Sequence, residues 1–329
     1  MLLPILAIVI GLVVLAWSAD RFVDGAVGVA CHFGMSTLLI GIVVVGFGTS
    51  APEMIVSAIS ALENNSGIAL GNAYGSNIAN IALILGSTAL LAPVAVKPCI
   101  VKRDLPLLLV GTAIAAFQIV DGGGVSRWDG LVLLAIFAIL LSVSAFAEMR
   151  QAGPAKPEAP EDACPAKTTG LGRSILWILL GLALLVASSR ALVWGSVQVA
   201  RALGASDLFI GLTIVAIGTS LPELAASIAA ARKKETDLVM GNIIGSNLFN
   251  TLVVVGIAAV IRPMDAVDPL VLRRDIPVML ILTILLLVFG LKRPHRDHGR
   301  LNRWEGALFL VAYAAYAALL IAQCRAPAP

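Results

Sequence analysis

The stretch that decides the fold occurs twice, as GFGTSAPE at residues 46–53 and as AIGTSLPE at residues 216–223. Both copies lie in the middle of long apolar runs, and each ends on a glutamate, Glu53 or Glu223. An ionisable side chain is costly to bury in a membrane span, and it is rare there unless it has a function. The two glutamates are therefore the first candidates for a functional site.

The composition predicts a membrane protein built from helices. Hydrophobic residues make up 59% of the chain, charged residues only 13%, and the mean hydropathy is +0.96. A soluble domain carries about 25% charged residues. Apolar runs close to the roughly 20 residues that a helix needs to cross the hydrocarbon core recur along the chain. A membrane β-barrel would instead alternate polar and apolar residues. We predict an all-α polytopic membrane protein.

The two halves of the chain resemble each other. Residues 41–86 align with residues 211–256 at a shift of 170 without a gap, and 16 of the 46 positions are identical. Most of the identical residues are Gly, Asn, Ser, Pro and Glu, which chance similarity between apolar helices would not match. Weaker matches extend the repeat: residues 103–106 resemble 274–277, and residues 127–130 resemble 303–306.

Five apolar blocks in each half predict ten transmembrane helices. The first repeat covers residues 1–147 and the second covers residues 174–329, with a polar, proline-containing linker at 148–173. The blocks lie at about 2–31, 37–62, 68–92, 105–120 and 130–147, and at about 174–202, 208–231, 238–261, 276–291 and 305–323. Because five is odd, the second repeat must enter the membrane from the opposite side. Such inverted-topology repeats are common among secondary transporters.

The basic residues of the loops predict the orientation. If the N-terminus lies outside, the inside loops hold fifteen Lys and Arg residues and the outside segments hold five. Basic residues concentrate on the cytoplasmic side of membrane proteins. We therefore expect both termini outside and the linker in the cytoplasm.

Proline and glycine predict a broken helix beside each glutamate. Pro52 and Pro222 directly precede the glutamates and remove a backbone donor, and glycines before them permit non-helical conformations. A break would free carbonyl groups around residues 46–49 and 216–219. Carboxylate, hydroxyl and carbonyl oxygens would then gather, and these are the ligands that Ca²⁺ and Na⁺ prefer. The structural alternative is a kinked helix whose glutamate pairs with another polar group, but the duplication favours the cation site.

A second motif, GNAYGSNIAN at residues 71–80, recurs as GNIIGSNLFN at residues 241–250. On a helix, Asn72, Ser76 and Asn80 share one stripe, as do their counterparts in the second copy. The glycine pairs of each copy would let helices approach closely. The polar stripe could line the site, or it could serve as hydrogen-bonding contact between helices, and the two roles are compatible.

Two buried carboxylates would neutralise one Ca²⁺, and Na⁺ ions or protons could also compensate their charge. The loaded site is then nearly neutral while the empty site is charged, and a charged site crosses the membrane barrier poorly. This difference favours coupled exchange over leak. The counter-ion remains open at this point.

The paired G-T-S-x-P-E and G-N-x-x-G-S-N segments resemble the α-repeats of the cation/Ca²⁺ exchanger superfamily, and the length and short linker resemble its bacterial, inner-membrane branch. The resemblance covers nearly the whole chain. It implies the Na⁺/Ca²⁺ exchanger fold, a calcium/sodium antiporter, α-repeats at 41–86 and 211–256, and long opening helices that slide to alternate access. The cation ligands that it implies are Glu53, Glu223, Thr49, Ser50, Thr219, Ser220, Ser76, Asn80, Ser246 and Asn250, with the backbone carbonyls of Gly46 and Ala216.

One position departs from the family pattern, since many Na⁺/Ca²⁺ exchangers have Asp where this chain has Asn250. Protons could therefore replace Na⁺, which makes a Ca²⁺/H⁺ antiporter the first alternative. A passive cation channel is the second alternative. An intramembrane enzyme is disfavoured because His32, His295 and His298 lie in loops or at a span end. We expect no cofactor beyond the transported ions and no nucleic-acid partner; the sequence leaves the oligomeric state open.

Overall fold

A computed structural model describes residues 2–63, 66–151, 170–203, 216–264, 267–291 and 299–325 of the chain. These residues are almost wholly helical, as lipid burial requires, because a helix satisfies its backbone hydrogen bonds within one segment. Several helices contain short π-helical segments, in which the turn is one residue wider.

The first half contains six helices and one short strand. These are α1 (Leu2–Phe33), α2 (Thr37–Thr49, π-helical at Gly41–Gly46), α3 (Ala51–Leu62), α4 (Ser66–Ile78, π-helical Ala79–Leu85 and Gly86–Leu91), β1 (Val94–Val96), α5 (π-helical Ile100–Asp104 and Leu105–Gly122) and α6 (Arg127–Gln151).

The described part of the second half contains six helices in the same order and one short strand, which lies one connection later than in the first half. These are α7 (Leu171–Ala202), α8 (Ala216–Thr219), α9 (Leu221–Arg232), α10 (Thr236–Leu248, π-helical Phe249–Val254 and Val255–Ile261), α11 (π-helical Val271–Asp275 and Ile276–Gly290), β2 (Gly299–Leu301) and α12 (Arg303–Arg325). Two π-helical segments of the first half therefore recur at matching places in the second half.

Among the described residues, seven helices are long and apolar enough to cross a membrane, and the bent pair α2 and α3 makes an eighth. The chain is thus a multi-pass helical membrane protein. The other two predicted spans are not among these candidate membrane helices, for different reasons. The block at 208–231 begins with residues 208–215, which lie outside the described residues, and α11 opens with three charged residues, Arg273, Arg274 and Asp275, so that its uncharged part is only the 15 residues Ile276–Gly290.

Helices extend into both ends of the predicted linker, 148–173. Helix α6 reaches Gln151 and α7 begins at Leu171. The proline-containing middle of the linker, residues 152–169, lies outside the described residues.

Two pairings between loops reveal the relative direction of α5 and α11. Strand β1 pairs antiparallel with β2, which joins the start of α5 to the end of α11. At the other end, Val125 pairs with Met264, which joins the end of α5 to the start of α11. The two helices are therefore antiparallel, although they occupy matching positions in the sequence repeat. The strands are also an exception to the all-α prediction, because loop backbone that is buried must find hydrogen-bond partners.

Each glutamate helix begins after a break of one residue. Ser50 (φ −84°, ψ 1°) separates α2 from α3, which meet at 46°, and Ser220 (φ −92°, ψ 8°) separates α8 from α9. Pro52 lies in the first turn of α3, where a missing N–H is tolerated. The carbonyl groups before the break are less free than predicted, because α2 stays helical up to Thr49 and the Gly46 carbonyl accepts the Ser50 N–H at 3.1 Å.

The repeat motifs lie on the most enclosed helices. Of the candidate spans, α4 and α10 are mostly buried inside the protein, whereas only a minor share of the apolar stretch of α1, α6, α7 and α12 is buried. The exposed surface of α1 includes Leu2, Val9 and Val13, which suits contact with lipid. Helices α1 and α7 pack antiparallel, so closely that a Cβ on Gly195 would lie 2.6 Å from the Pro4 carbonyl oxygen.

Candidate cation site

The two glutamates occupy equivalent positions in the two halves. Glu53 lies in the first turn of α3 and Glu223 in the first turn of α9, with 1% and 2% of their surfaces exposed. The start of a helix favours negative charge, because unpaired N–H groups point toward it. Among the described residues, neither carboxylate forms a salt bridge. Two uncompensated buried carboxylates need a positive partner, since an isolated buried charge is strongly disfavoured.

Hydrogen bonds between the halves bring the two copies of each motif together. The Ser50 hydroxyl donates to Oε1 of Glu223 over 3.5 Å, and Oγ1 of Thr49 lies 3.2 Å from Oδ1 of Asn242. The Asn80 amide donates to Oδ1 of Asn247 at 3.0 Å. Each contact joins a residue of the first repeat to one of the second. The site is therefore shared, and neither half forms it alone.

The first asparagine of each second motif holds its helix against the glutamate helix. Asn72 donates to the Glu53 carbonyl at 3.0 Å and to the Ser57 hydroxyl at 2.9 Å. Asn242 repeats the arrangement with the Glu223 carbonyl at 3.3 Å and the Ser227 hydroxyl at 2.9 Å. These asparagines fix where each glutamate stands. This hydrogen-bonding contact between helices is one of the two roles that the sequence analysis predicted for the polar stripe.

Buried oxygens without a hydrogen-bond partner concentrate in this region. In the described part of the chain, those on the polar motif residues include Glu53 Oε1 and Oε2, Glu223 Oε2, Asn77 Oδ1, Asn80 Oδ1, Ser246 Oγ and Asn250 Oδ1, while others, such as those of Thr112 and Gln118, lie outside the motifs. Leaving one buried polar atom unpaired costs about 1–3 kcal/mol, and a native structure contains few such atoms. Residues of both halves contribute them, and five of the six motif residues were predicted ligands.

The predicted ligand residues are only partly brought together by direct contacts. Ser220 is buried at the start of α9, and Thr219 and Ser76 line a common cavity. Gly46 lies at the end of the π-helical segment of α2, and Ala216 begins α8. These positions are compatible with the predicted ligand set, which stays a prediction.

Three features of the site escaped the sequence analysis. Asn80 and Asn250 lie in π-helical segments, so the predicted α-helical stripe is interrupted at its last residue. Ser57 and Ser227 brace Asn72 and Asn242, and their identity at the shift of 170 was the signal that could have revealed them. Thr251 was also missed: it accepts a hydrogen bond from Asn77 at 2.7 Å, and it has no counterpart at the matching position of the first half, Ile81.

The donor set suits a hard cation. Among the described residues, no group of three or more His, Cys, Asp or Glu side chains could hold a metal ion. The candidate ligands are two carboxylates and neutral amide and hydroxyl oxygens. Ca²⁺ and Na⁺ accept such oxygens, whereas Zn²⁺ prefers nitrogen and sulfur.

A cavity of about 240 Å³ reaches the motif residues from one end of the bundle. It is lined by Gly71, Asn72, Gly75, Ser76, Ala79, Thr219, Arg274, Asp275, Tyr313, Tyr316, Ala317 and Leu320. The first six belong to the two motifs or adjoin them, and the others belong to α11 and α12. The cavity therefore gives access to the motif region.

Known proteins match the chain over nearly its full length. The family model described as sodium/calcium exchanger protein matches residues 3–146 and 173–322. CaxA of Alkalimonas amylolytica is 43% identical over 321 residues, which cover 97% of this chain and 99% of CaxA. The inner membrane protein YrbG of Escherichia coli is 37% identical over 322 residues, which cover 97% of each chain. A solved structure of the sodium-calcium exchanger NCX_Mj, soaked with 10 mM Na⁺ and 10 mM Sr²⁺, matches with a TM-score of 0.80 at 32% identity, covering 96% of this chain and 98% of that one.

Proposed function

Because the chain belongs to the sodium/calcium exchanger protein family, as its motifs predicted, we propose that it is a secondary active antiporter that exchanges Ca²⁺ for Na⁺ by alternating access. Cation/Ca²⁺ antiport follows from the family. The choice of Na⁺ as counter-ion is the proposal, and it is supported by the likeness to NCX_Mj. The match to YrbG confirms the predicted relation to the bacterial inner-membrane branch.

The observation that carries the proposal is the set of unpaired buried oxygens around Glu53 and Glu223. One Ca²⁺ would balance both carboxylates and supply the missing partner of several neutral oxygens at once. Two Na⁺ ions would balance the same charge. Either load leaves the site nearly neutral, whereas the empty site carries two buried charges that disfavour its passage across the membrane. The coupling of Ca²⁺ movement to counter-ion movement then follows from electrostatics.

We assign the cation ligands as the resemblance implies, with Glu53 and Glu223 at the centre. Thr49, Ser50, Thr219 and Ser220 stand beside them, Ser76, Asn80, Ser246 and Asn250 lie farther out, and Gly46 and Ala216 offer backbone carbonyls. The cross-half hydrogen bonds support this assignment, because they draw both motif copies to one place.

We also propose ten transmembrane helices in two inverted repeats of five, with both termini outside and the linker in the cytoplasm. The antiparallel course of α5 and α11 supports the inversion. In this arrangement α1 and α7, which pack on each other at the periphery, are the helices that slide.

A Ca²⁺/H⁺ antiporter is the second candidate, and Asn250 is the observation that favours it. This residue is neutral and its side-chain nitrogen and oxygen both lack a partner among the described residues. The site then holds only two carboxylates, which two protons could neutralise as well as two Na⁺ ions.

The test is uptake of ⁴⁵Ca²⁺ into proteoliposomes under an imposed Na⁺ gradient, compared with uptake under a pH gradient. Exchange requires uptake with Na⁺ and none without a counter-ion. Uptake driven only by the pH gradient would move the assignment to Ca²⁺/H⁺ exchange, and flux without any counter-ion would indicate a channel.

Glu53→Gln and Glu223→Gln should each abolish transport, because each removes half of the site charge and keeps the side-chain shape. The matched control is Glu63→Gln, which neutralises an exposed carboxylate at the end of the same helix as Glu53 and should leave transport intact. Transport retained by both site variants would refute the site assignment.

A further inference from the structure

The cavity next to the motifs ends in a charged cluster that the cation site does not use. Asp275 lies in the first turns of α11, and its side chain is 6% exposed. Arg274 contacts both of its oxygens, through Nε at 2.6 Å and Nη2 at 3.0 Å, and Tyr316 donates to Oδ1 at 2.8 Å. Arg274 also donates to Gln323 near the end of α12. The cluster therefore lies on the face of the protein where α11 begins and α12 ends, which we call the C-terminal face.

The same cavity touches the cation site at its other end. Its lining includes Ser76 and Thr219, two of the proposed ligands, together with Arg274, Asp275 and Tyr316. A cation that moved from the C-terminal face to Ser76 through this space would pass the cluster. Asp275 is the carboxylate among the described residues that line the cavity, and its charge is balanced by a guanidinium on the same chain segment.

The corresponding region of the other half is filled by aromatic rings. Phe249 stands where the first half has Ala79, and Phe137 stands where the second half has Tyr313. The ring of Phe249 lies 4.6 Å from that of Phe137 and 5.5 Å from that of Phe47. Arg103 and Asp104 repeat the ion pair there, with Nε of Arg103 2.7 Å from Oδ1 of Asp104. Tyr316 is replaced by Leu140, so neither tyrosine of the cavity has a counterpart at the matching position of the first half.

We propose that Asp275 is a recruitment residue for the incoming cation on the C-terminal face, and that Arg274 is the tethered counter-cation which the incoming ion displaces. The inference rests on the proposed function, since it assumes that cations travel through this cavity. Arg274 neutralises Asp275 while no ion is present, which avoids an unpaired buried charge. A divalent cation carries twice the charge of the guanidinium and can compete for the carboxylate. Arg274 can turn away toward Gln323, and Tyr316 keeps the carboxylate oriented.

The proposal predicts opposite effects for the two members of the ion pair. Asp275→Asn removes the recruiting charge and leaves Arg274 to repel cations, so the KM for Ca²⁺ applied from the C-terminal face should rise about threefold to tenfold. Arg274→Gln removes the competing charge, so the same KM should fall. An ion pair with a purely structural role would give losses of maximal rate or of folded protein in both variants, without KM shifts of opposite sign.

The experiment measures initial ⁴⁵Ca²⁺ uptake in proteoliposomes sorted by the accessibility of a C-terminal affinity tag, so that only one face is exposed to Ca²⁺. Asp104→Asn, the equivalent change in the other half, is the matched control and should leave this KM unchanged. If Arg274→Gln does not fold, the double variant Asp275→Asn with Arg274→Gln keeps the test decisive. Without the repelling guanidinium, its KM should lie between those of the wild type and Asp275→Asn.

Raising the ionic strength should leave most of the KM shift in place, because Asp275 is buried and salt screens buried charges much less than exposed ones. Unchanged KM in Asp275→Asn, with active wild type, would overturn the inference and leave the proposed exchange intact. Absence of any Ca²⁺ flux in the wild type would instead overturn the proposed function itself.

Discussion

The two copies of the G-N-x-x-G-S-N motif have the same sequence and different surroundings. Gly241 and Gly245 of α10 press against α2, where a Cβ on Gly245 would lie 2.6 Å from the Ile42 carbonyl oxygen. Gly71 and Gly75 of α4 line the cavity that opens to the C-terminal face. A sequence repeat therefore does not impose equal environments on its copies. One copy is tightly packed against another helix, while the other copy borders a cavity. Alternating access requires such an asymmetry in any single state.

The largest effect is expected from adding a methyl group to the packed copy. Gly245→Ala should destabilise the protein by about 3 kcal/mol, because the new atom would overlap backbone of α2 that cannot rotate away. Gly75→Ala, its counterpart, adds the same methyl group beside the cavity and should cost less. Thermal unfolding of the two variants in detergent measures the difference. Equal losses of Tm would show that the two copies are packed alike.

A smaller effect is expected at the bracing asparagines. Asn242→Ala leaves the buried Ser227 hydroxyl without its partner and removes the contact with Thr49, at a cost of about 1–3 kcal/mol. Asn72→Ala removes the equivalent bonds at a position that is only part-buried, so water can replace them. Asn242→Ala should therefore lower Tm more than Asn72→Ala does. The reverse order would contradict the contrast between an enclosed and an accessible copy.

The smallest effect concerns how α1 is held to the rest of the protein. Lys233, just after α9, donates to the Asp20 carbonyl and to Asp24 Oδ1, each at 2.6 Å. The corresponding residue of the first half is Glu63, whose charge is opposite. Lys233→Gln should weaken the contact by up to about 1 kcal/mol, because the pair is partly exposed. Pulsed EPR distances between labels on α1 and α9 should then show a broader distribution.

Lys234→Gln is the control for this change, because it removes an equal charge at the next residue. Identical distance distributions in the two variants would mean that the Lys233 contact does not hold α1 in place.

Much of the architecture was predictable because its signals are local or duplicated. Apolar run length predicted the eight candidate spans that the described residues contain, and the Pro-Glu pairs marked the helix starts at Ser50 and Ser220. The duplication also singled out Glu53 and Glu223, which both lie buried in the first turn of equivalent helices. These features repeat within short stretches, where composition and spacing carry the information.

The remaining features depend on contacts between distant segments. The π-helical segments that contain Asn80 and Asn250 are invisible to a pattern that assumes 3.6 residues per turn. The bracing bonds of Asn72 and Asn242 require knowledge of which helix lies opposite. The unequal packing of the two motif copies cannot be predicted from their identical motif residues, because the neighbours of each copy determine it.

The central claim is that Glu53 and Glu223 hold one Ca²⁺ between the two halves and that Na⁺ competes for the same oxygens. Calorimetric titration of the purified protein with Ca²⁺, repeated at increasing Na⁺ at constant ionic strength, tests it most directly. The account predicts one bound Ca²⁺ per chain, an apparent Kd that rises with Na⁺, and loss of binding in either Glu→Gln variant but not in Glu63→Gln. Ca²⁺ binding that survives in both Glu53→Gln and Glu223→Gln, or that is indifferent to Na⁺, would contradict it.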